Sequence, residues 1–445
     1  MTKHSLPNQE QLSQVAEHIL KLAKSRGATS AEMSVGSGMG FSATVRLGEP
    51  ETIEHEQDQS VDITVYYGQK KGSATTTDMN LAMIDKVVEA ACSMAQYTVE
   101  DDCAGLADPD TLAKDWPELD LYHPWDISVK DAIEQAKACE KLAMDFDPRI
   151  NNSEGATLET YQSIHLYANS HGFIGGAKSS RHGLSVSVIA EANGQMQHDY
   201  GYTSARDYRD LWSAKRVAEE AAERTLQKLN PRKIKTCEVP VIFIADVATS
   251  LISSFLGAIS GGSLYRRSSF LLDSLGQRLF PEFVTISEDP YILKGIASCP
   301  FDGEGVKVQK RDIVSQGVLQ GYVLGSYSGR KLKLKSTGNA GGVHNILVQS
   351  GQQDLAALLK TMHKGLLVTD VIGQGVNLVT GDYSRGASGF WVENGEIMHP
   401  VEEITIASNL RDMFSGIIGI GSDIEKRGKI QVGSILIDKM TVAGN

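Results

Sequence analysis

The chain has 445 residues, enough for two or three domains that each bury a core. Hydrophobic residues make up 41% and charged residues 22%, a globular balance that excludes disordered and fibrous classes. The 43 Lys and Arg against 55 Asp and Glu leave a net charge of −12, which argues against a general nucleic-acid binder, because such a protein needs a net basic face.

From the N-terminus, Leu12, Val15, Ala16, Ile19, Leu20 and Ala23 recur at helical spacing, with Gly27 as the stop. Strands follow where Phe41, Ala43, Val45 and Leu47, then Val61, Ile63 and Val65, alternate with polar residues, and a turn is expected over 68–72. Asp78 or Asn80 is placed to cap a helix striped by Ile84, Val87, Val88, Ala91 and Ala95. Residues 99–127 read as a loop interrupted by Pro109, Pro117 and Pro124, yet Trp116, Leu119, Leu121, Tyr122 and Trp125 are too apolar for a free linker.

A second segment opens with Ser128 and Asp131 at capping-box spacing and a helix to about 145. Strands are expected around 164–168 and 184–188, a hairpin at Asn193-Gly194, and a helix along Ala214, Val217, Ala218, Ala221, Ala222, Thr225 and Leu226. This order loosely echoes the first segment. The polar, Pro-bearing stretch 230–236 is the clearest boundary. Beyond it a strand at 239–245 leads to a helix that Asp246 can cap and Gly261-Gly262 can end, and then to Gly-rich, strand-like sequence with one helical stripe at about 353–364. Lys331, Lys333 and Lys335 alternate with Leu332 and Leu334 as three cations on one strand face. The expected fold is α+β: αβ segments over 1–105 and 106–235, and a β-rich, barrel-like domain over 236–445.

No apolar run approaches the ~18–20 residues that span a bilayer, and residues 1–10 hold no apolar leader. Cys92, Cys103, Cys139, Cys237 and Cys299 are odd in number and lack a C-x-x-C pair, as expected for reduced thiols in a cytoplasmic protein. The eleven histidines form no H-E-x-x-H pair, the glycines complete no phosphate loop, and no G-x-S-x-G occurs. Residue patterns alone therefore give a multi-domain α+β protein without a recognisable active site.

Longer strings say more. Gly261-Gly262-Ser263-Leu264-Tyr265-Arg266-Arg267 and its continuation to Gly276 resemble the third segment of the TldD/PmbA family. So do Lys335-Ser336-Thr337-Gly338-Asn339-Ala340-Gly341-Gly342-Val343-His344-Asn345 and the run from Thr380 to Gly395. Asn169-Ser170-His171-Gly172 with Ser180-Arg181-His182 resembles its middle segment, and the whole is most similar to the PmbA branch, also called TldE.

The resemblance implies a cytoplasmic system in which TldD-type and PmbA-type chains pair to process unfolded or precursor peptides, with links to microcin maturation, antitoxin degradation and modulation of DNA gyrase. It implies zinc in the TldD-type partner, held by an H-E-x-x-x-H helix and a cysteine near the C-terminus. Aligned on Arg266-Arg267, the two histidine positions fall on Ser253 and Ala258, the glutamate position on Ser254, and the cysteine position near Asp423. Serine is a poor zinc ligand and alanine none, so no metal, cofactor or catalytic residue is expected in this chain. Arg266, Arg267, His344, Asn345 and Arg385 are the candidates for substrate binding. The expected partners are the TldD-type catalytic subunit and peptides, with a homodimer open in isolation and neither membrane nor direct nucleic-acid contact. Two alternatives stand beside this reading: a metallopeptidase active by itself through other ligands, and a regulatory protein-binding factor acting on DNA gyrase.

Overall fold

The stripe Leu12, Ala16, Ile19 and Ala23 buries one face of helix α1 (Gln9–Ser25), which a capping box between Asn8 and Gln11 opens. The computed structural model describes residues 6–444. Strands β1 (Ser30–Arg46), β2 (Glu49–Tyr67) and β3 (Lys70–Thr76) then form a meander, and Asn80 caps helix α2 (Leu81–Tyr97). The same order recurs: α3 (Val129–Met144), β4 (Ile150–Asn169), β5 (Ile174–Ala192), β6 (Gln195–Ala205) and α4 (Ala214–Gln227). Asn193 and Gly194 make the β5–β6 turn with φ of 54° and 76°, the left-handed pair that a tight hairpin demands.

The two halves share one antiparallel sheet of order β3-β2-β1-β4-β5-β6. They meet at its centre, where β1 pairs with β4 from Glu32↔Asn169 to Val45↔Ala156. Both helix pairs lie on one face. Ala31, Met33 and Val35 of β1 pack under α1 and α2, while Ala43 and Val45, of the same parity, pack under α3 and α4. The connecting segment wraps over the sheet, as its apolar content requires: Leu119 and Leu121 are buried, and Trp125 stacks on Tyr208 at 4.9 Å.

After 230–236 come β7 (Cys237–Phe243), α5 (Ala245–Ala258), α6 (Gly261–Tyr265), β8 (Ile286–Asp289), β9 (Arg311–Ser315) and β10 (Val318–Leu319). The chain continues through α7 (Ser326–Leu332), β11 (Asn345–Val348), α8 (Leu355–Met362), β12 (Gly365–Ile372), β13 (Asp382–Glu393) and β14 (Glu396–Asn409). It ends with α9 (Leu410–Ser415), β15 (Ile417–Ile420), β16 (Ile430–Gln431) and β17 (Ile435–Ala443). The order β14-β13-β12-β7-β17 closes on itself through β14–β17 pairing, making the expected barrel, with β15 appended. A second sheet, β10-β9-β8-β11-β16, lies apart from it. Helix α5 joins the two through one core, in which Phe255 packs edge-on against Phe280 and Phe414. Among the described residues no helix is long and apolar enough to cross a membrane.

Three local expectations are corrected. Lys331 lies in helix α7 and Lys333 is its left-handed C-cap at φ 56°, so the lysines share no strand face; two alternating leucines are too short a signal to outweigh the helix. Ile244, not Asp246, is the N-cap of α5, because Asp246 is already helical and turns its carboxylate to two arginines. Gly261-Gly262 do not end that helix. They open α6 under a Ser260 cap, where an added Cβ on Gly261 would sit 2.3 Å from Ser328 Oγ.

Candidate functional site

Helix α5 is two-faced. Val247, Ala248, Leu251, Ile252, Phe255 and Ala258 face the core, while Asp246, Thr249, Ser250 and Ser253 line a cleft of about 450 Å³. Tyr200 and Tyr202 of β6 and Glu425, Gly428, Lys429 and Ile430 complete its lining, so the cleft lies between the N-terminal sheet and the C-terminal domain. The helix hydroxyls bond partly to their own backbone: Thr249 Oγ1 donates to Asp246 O at 2.6 Å and Ser250 Oγ to Val247 O at 2.7 Å. Burial pushes the Tyr202 phenol up to about 12, so it enters the cleft as a hydrogen-bond donor.

A charge cluster closes one end. Arg427, only 8% exposed, bonds Glu220 at 2.9 Å, Glu425 at 2.6 Å and Asp246 at 3.2 Å, and its guanidinium lies 4.2 Å from the Tyr202 ring centre. Arg224 reaches Glu220 at 3.0 Å and Asp246 at 2.5 Å. Burial pushes Asp246 up, but Glu425 and the two guanidiniums outweigh it and hold its carboxyl below the ordinary value. Burial raises Glu425, helped by the facing Asp246, in spite of Arg427. Arg427 Nη1 also donates to Tyr202 O at 3.0 Å, and Tyr202 N donates to Glu220 at 3.3 Å, so side chains occupy the free edge of β6 at this point. Glu220 and Arg224 could be read from sequence as an i,i+4 pair; their joining to residues 246, 425 and 427 could not, because no local pattern links positions that far apart.

Of the positions at which the family resemblance implies zinc ligands, Ser253, Ser254 and Ala258 lie on this helix but on different faces of it, and Asp423 lies outside it. Ser253 is exposed to the cleft, Ser254 Oγ donates back to Ser250 O at 2.9 Å, and Ala258 is fully buried in the core. Asp423 is held by Ser434, whose Oγ lies 2.6 Å from Oδ2 and whose N lies 3.0 Å from Oδ1. Two serine hydroxyls, a methyl group and an occupied carboxylate do not fit zinc, which needs imidazole, thiolate or free carboxylate donors.

The substrate-binding candidates are dispersed. Arg266 is the C-cap of α6 and lies over the Tyr265 ring at 5.2 Å, and Arg267 holds φ 57° beside it; neither forms an ion pair among the described residues. Arg385 Nη2 donates to Val371 O at 3.2 Å within the barrel. Asn345 is buried, accepting from Ala297 N and donating to Asp289 O and Ser298 Oγ. His344 is buried too, on the wall of another cavity of about 380 Å³ that also includes Cys299 and Gly341.

A two-part sheet with helices on one face, a five-stranded barrel, and a hydroxyl-lined cleft between them define an α+β protein of three sequence segments. Residues 31–95 match the PmbA/TldA metallopeptidase domain 1, residues 122–229 the central domain and residues 236–444 the C-terminal domain. The "Metalloprotease PmbA homolog" of Haemophilus influenzae is 51% identical over 438 residues, covering 98% of this chain and 97% of its own. "Metalloprotease PmbA" of Escherichia coli O157:H7 is 48% identical over 433 residues, covering 97% and 96%. A crystal structure of a putative modulator of DNA gyrase from Bacteroides thetaiotaomicron superposes with a TM-score of 0.92 at 25% identity, covering 98% of this chain and 99% of that one. The chain belongs to the PmbA/TldD family.

Proposed function

We propose that this chain is the non-catalytic subunit of a cytoplasmic heteromeric metallopeptidase that processes unfolded or precursor peptides, with zinc and catalysis supplied by a TldD-type partner. The observation that carries this reading is the donor set on α5: Ser253, Ser254 and Ala258 offer neither two imidazoles nor a carboxylate base where the family resemblance puts them. The cleft beside them suits a supporting role. Its hydroxyls, phenols and Lys429 match the amide groups of an extended peptide while asking for no particular side chains.

Co-purification with a TldD-type chain, followed by cleavage assays of each chain and of the pair, tests the proposal. The pair is expected to cleave unfolded peptides in a chelator-sensitive way, and this chain alone to cleave none and to hold no stoichiometric zinc. About one tightly held zinc per isolated chain, or cleavage by it alone, favours the self-sufficient enzyme instead.

A further inference from the structure

The cavity that takes in His344 is distinct from the cleft over α5. It lies between β4 and β5 of the N-terminal sheet and the loops 297–303 and 340–344 of the C-terminal domain. Cys299 Sγ stands 3.2 Å from His344 Nδ1 on its wall. His344 Nε2 lies 2.9 Å from Gly338 O, an atom that can only accept, so Nε2 carries the ring proton and Nδ1 presents its lone pair to the thiol. A backbone bond from His344 N to Glu288 at 2.9 Å fixes the residue further. This is the arrangement of a nucleophile, a base and a third group that orients the base.

Of the surroundings, one feature opposes ionisation of the thiol and another favours the chemistry. Burial, Asp302 and Glu288 together push the thiol up to about 12, against the backbone N–H of Phe301, which favours the ionised sulfur. Cys299 therefore rests as a thiol, and its nucleophile has to be made in place by transfer of the proton to Nδ1. In addition, Gly341 N and Val343 N, on the same wall, donate to no protein acceptor among the described residues. Gly341 and Gly342 hold φ of 98° and 119°, with open space where a Cβ would stand, so this turn presents its backbone to the cavity. Free N–H groups beside a nucleophile are what a developing oxyanion requires.

We propose that Cys299 and His344 form a nucleophilic thiol–imidazole pair, and that their cavity takes a small activated acyl compound, an ester or thioester, which acylates Cys299. In the step, sulfur adds to the carbonyl carbon as Nδ1 of His344 takes the thiol proton. The tetrahedral oxyanion then collapses, the bond to the leaving alcohol or thiol breaks, and His344 returns the proton to that group. One thioester forms on Cys299 and one alcohol or thiol is released, with no change of oxidation state. The site is independent of the zinc-partner reading, since it needs neither metal nor second chain.

The test is to mix the full-length chain with 4-nitrophenyl acetate, follow release of 4-nitrophenolate, and map the acetyl group by peptide mass spectrometry. The expected result is a burst of about one equivalent per chain with the acetyl group on Cys299, abolished in Cys299→Ser. His344→Gln, checked for folding by thermal denaturation, is expected to slow the burst by about 100-fold, the low end of general-base effects. The wild-type protein decides the matter even if that variant unfolds. No burst, or an acetyl group on Cys103 or Cys237 as fast as on Cys299, overturns the proposal, and so does an unchanged burst in folded His344→Gln.

Discussion

Arg427 shows how much a single side chain joins. It neutralises carboxylates from α4, from α5 and from its own loop, and stacks on Tyr202 and on Trp212 at 4.8 Å. Arg427→Met leaves the half-buried Glu220, Asp246 and Glu425 with only Arg224 among them, so a loss of about 2–3 kcal/mol, below the value for a fully buried pair, is expected by chemical denaturation. Without the guanidinium, which lowers both, the Asp246 and Glu425 carboxyls rise, and protonation relieves part of their burial. The gap between variant and wild type should therefore narrow as pH falls from neutrality toward ~5, which paired denaturation curves will show.

Asp302 gives the opposite sign to an ordinary paired carboxylate. Burial pushes it up to about 6, although Ala340 N, Glu304 N and Val306 N all donate to it. Between the usual aspartate value of ~4 and about 6, the folded chain binds a proton that the unfolded chain has released. This group's contribution to stability accordingly falls as pH rises through that window. Asp302→Asn should flatten that segment of the stability–pH curve; an unchanged slope would show that the carboxyl titrates normally.

The positions at which the resemblance implies zinc ligands also differ physically from one another. Ser253 faces the cleft, so Ser253→His should change stability by less than about 0.5 kcal/mol. Ala258 has no exposed surface, and Ala258→His forces an imidazole into a packed core at a cost of about 1–3 kcal/mol. Denaturant midpoints of the two single variants separate these outcomes. Installing the missing ligands thus meets a packing barrier before any question of chemistry.

Among the elements, the two halves of the N-terminal sheet solve one problem in one way. Each ends with a helix lying so close on the third strand of its meander that only glycine fits beneath it. A Cβ on Gly72 of β3 would meet Ala91 O at 2.1 Å, and one on Gly201 of β6 would meet Val217 O at 2.2 Å. Backbone cannot swing aside as a side-chain tip does, so Gly72→Ala and Gly201→Ala should each cost about 1–3 kcal/mol, seen as a lowered denaturation midpoint. The sequence pattern put Gly72 at the end of the 68–72 turn, whereas it lies within β3, and did not single out Gly201, since a strand glycine looks the same whether or not a helix presses on it. The long helices and the β5–β6 hairpin were legible, because caps and 3.6-residue stripes are local signals. Helix α7 was not: with seven residues and two apolar side chains it shows no period, and contacts from Asp101 to Tyr327 and Lys331 hold it from afar.

At the scale of the molecule, contacts rather than the linker hold the N-terminal sheet to the C-terminal domain. Lys294 bridges Asp207 and Asp210 at 2.8 and 2.9 Å, Arg330 bonds the carbonyls of Cys103, Gly105 and Leu106, and Phe301 packs edge-on against Phe173 and Trp116 at 5.0 Å. Arg232, Lys233 and Lys235 are exposed on the stretch that joins the two units. Trypsin should therefore nick the native chain first at 232–235, and the two fragments should co-elute on gel filtration without denaturant. A first cut deep within 240–440, or separation of the fragments, would count against this.

The sequence by itself determined the α+β class, the positions of the long helices and, through its longer strings, the family; each depends on residues that are neighbours along the chain or recur at a fixed period. Only the tertiary structure decided that two meanders share one sheet, that β14 closes on β17, and that Ala258 is buried while Ser253 is not. It likewise brought Arg427 to Glu220, and Cys299 to His344, although 207 and 45 residues separate them. Such pairings carry no local trace, because the free energy that forms them comes from burying distant segments against each other, and that burial is a property of the folded chain as a whole.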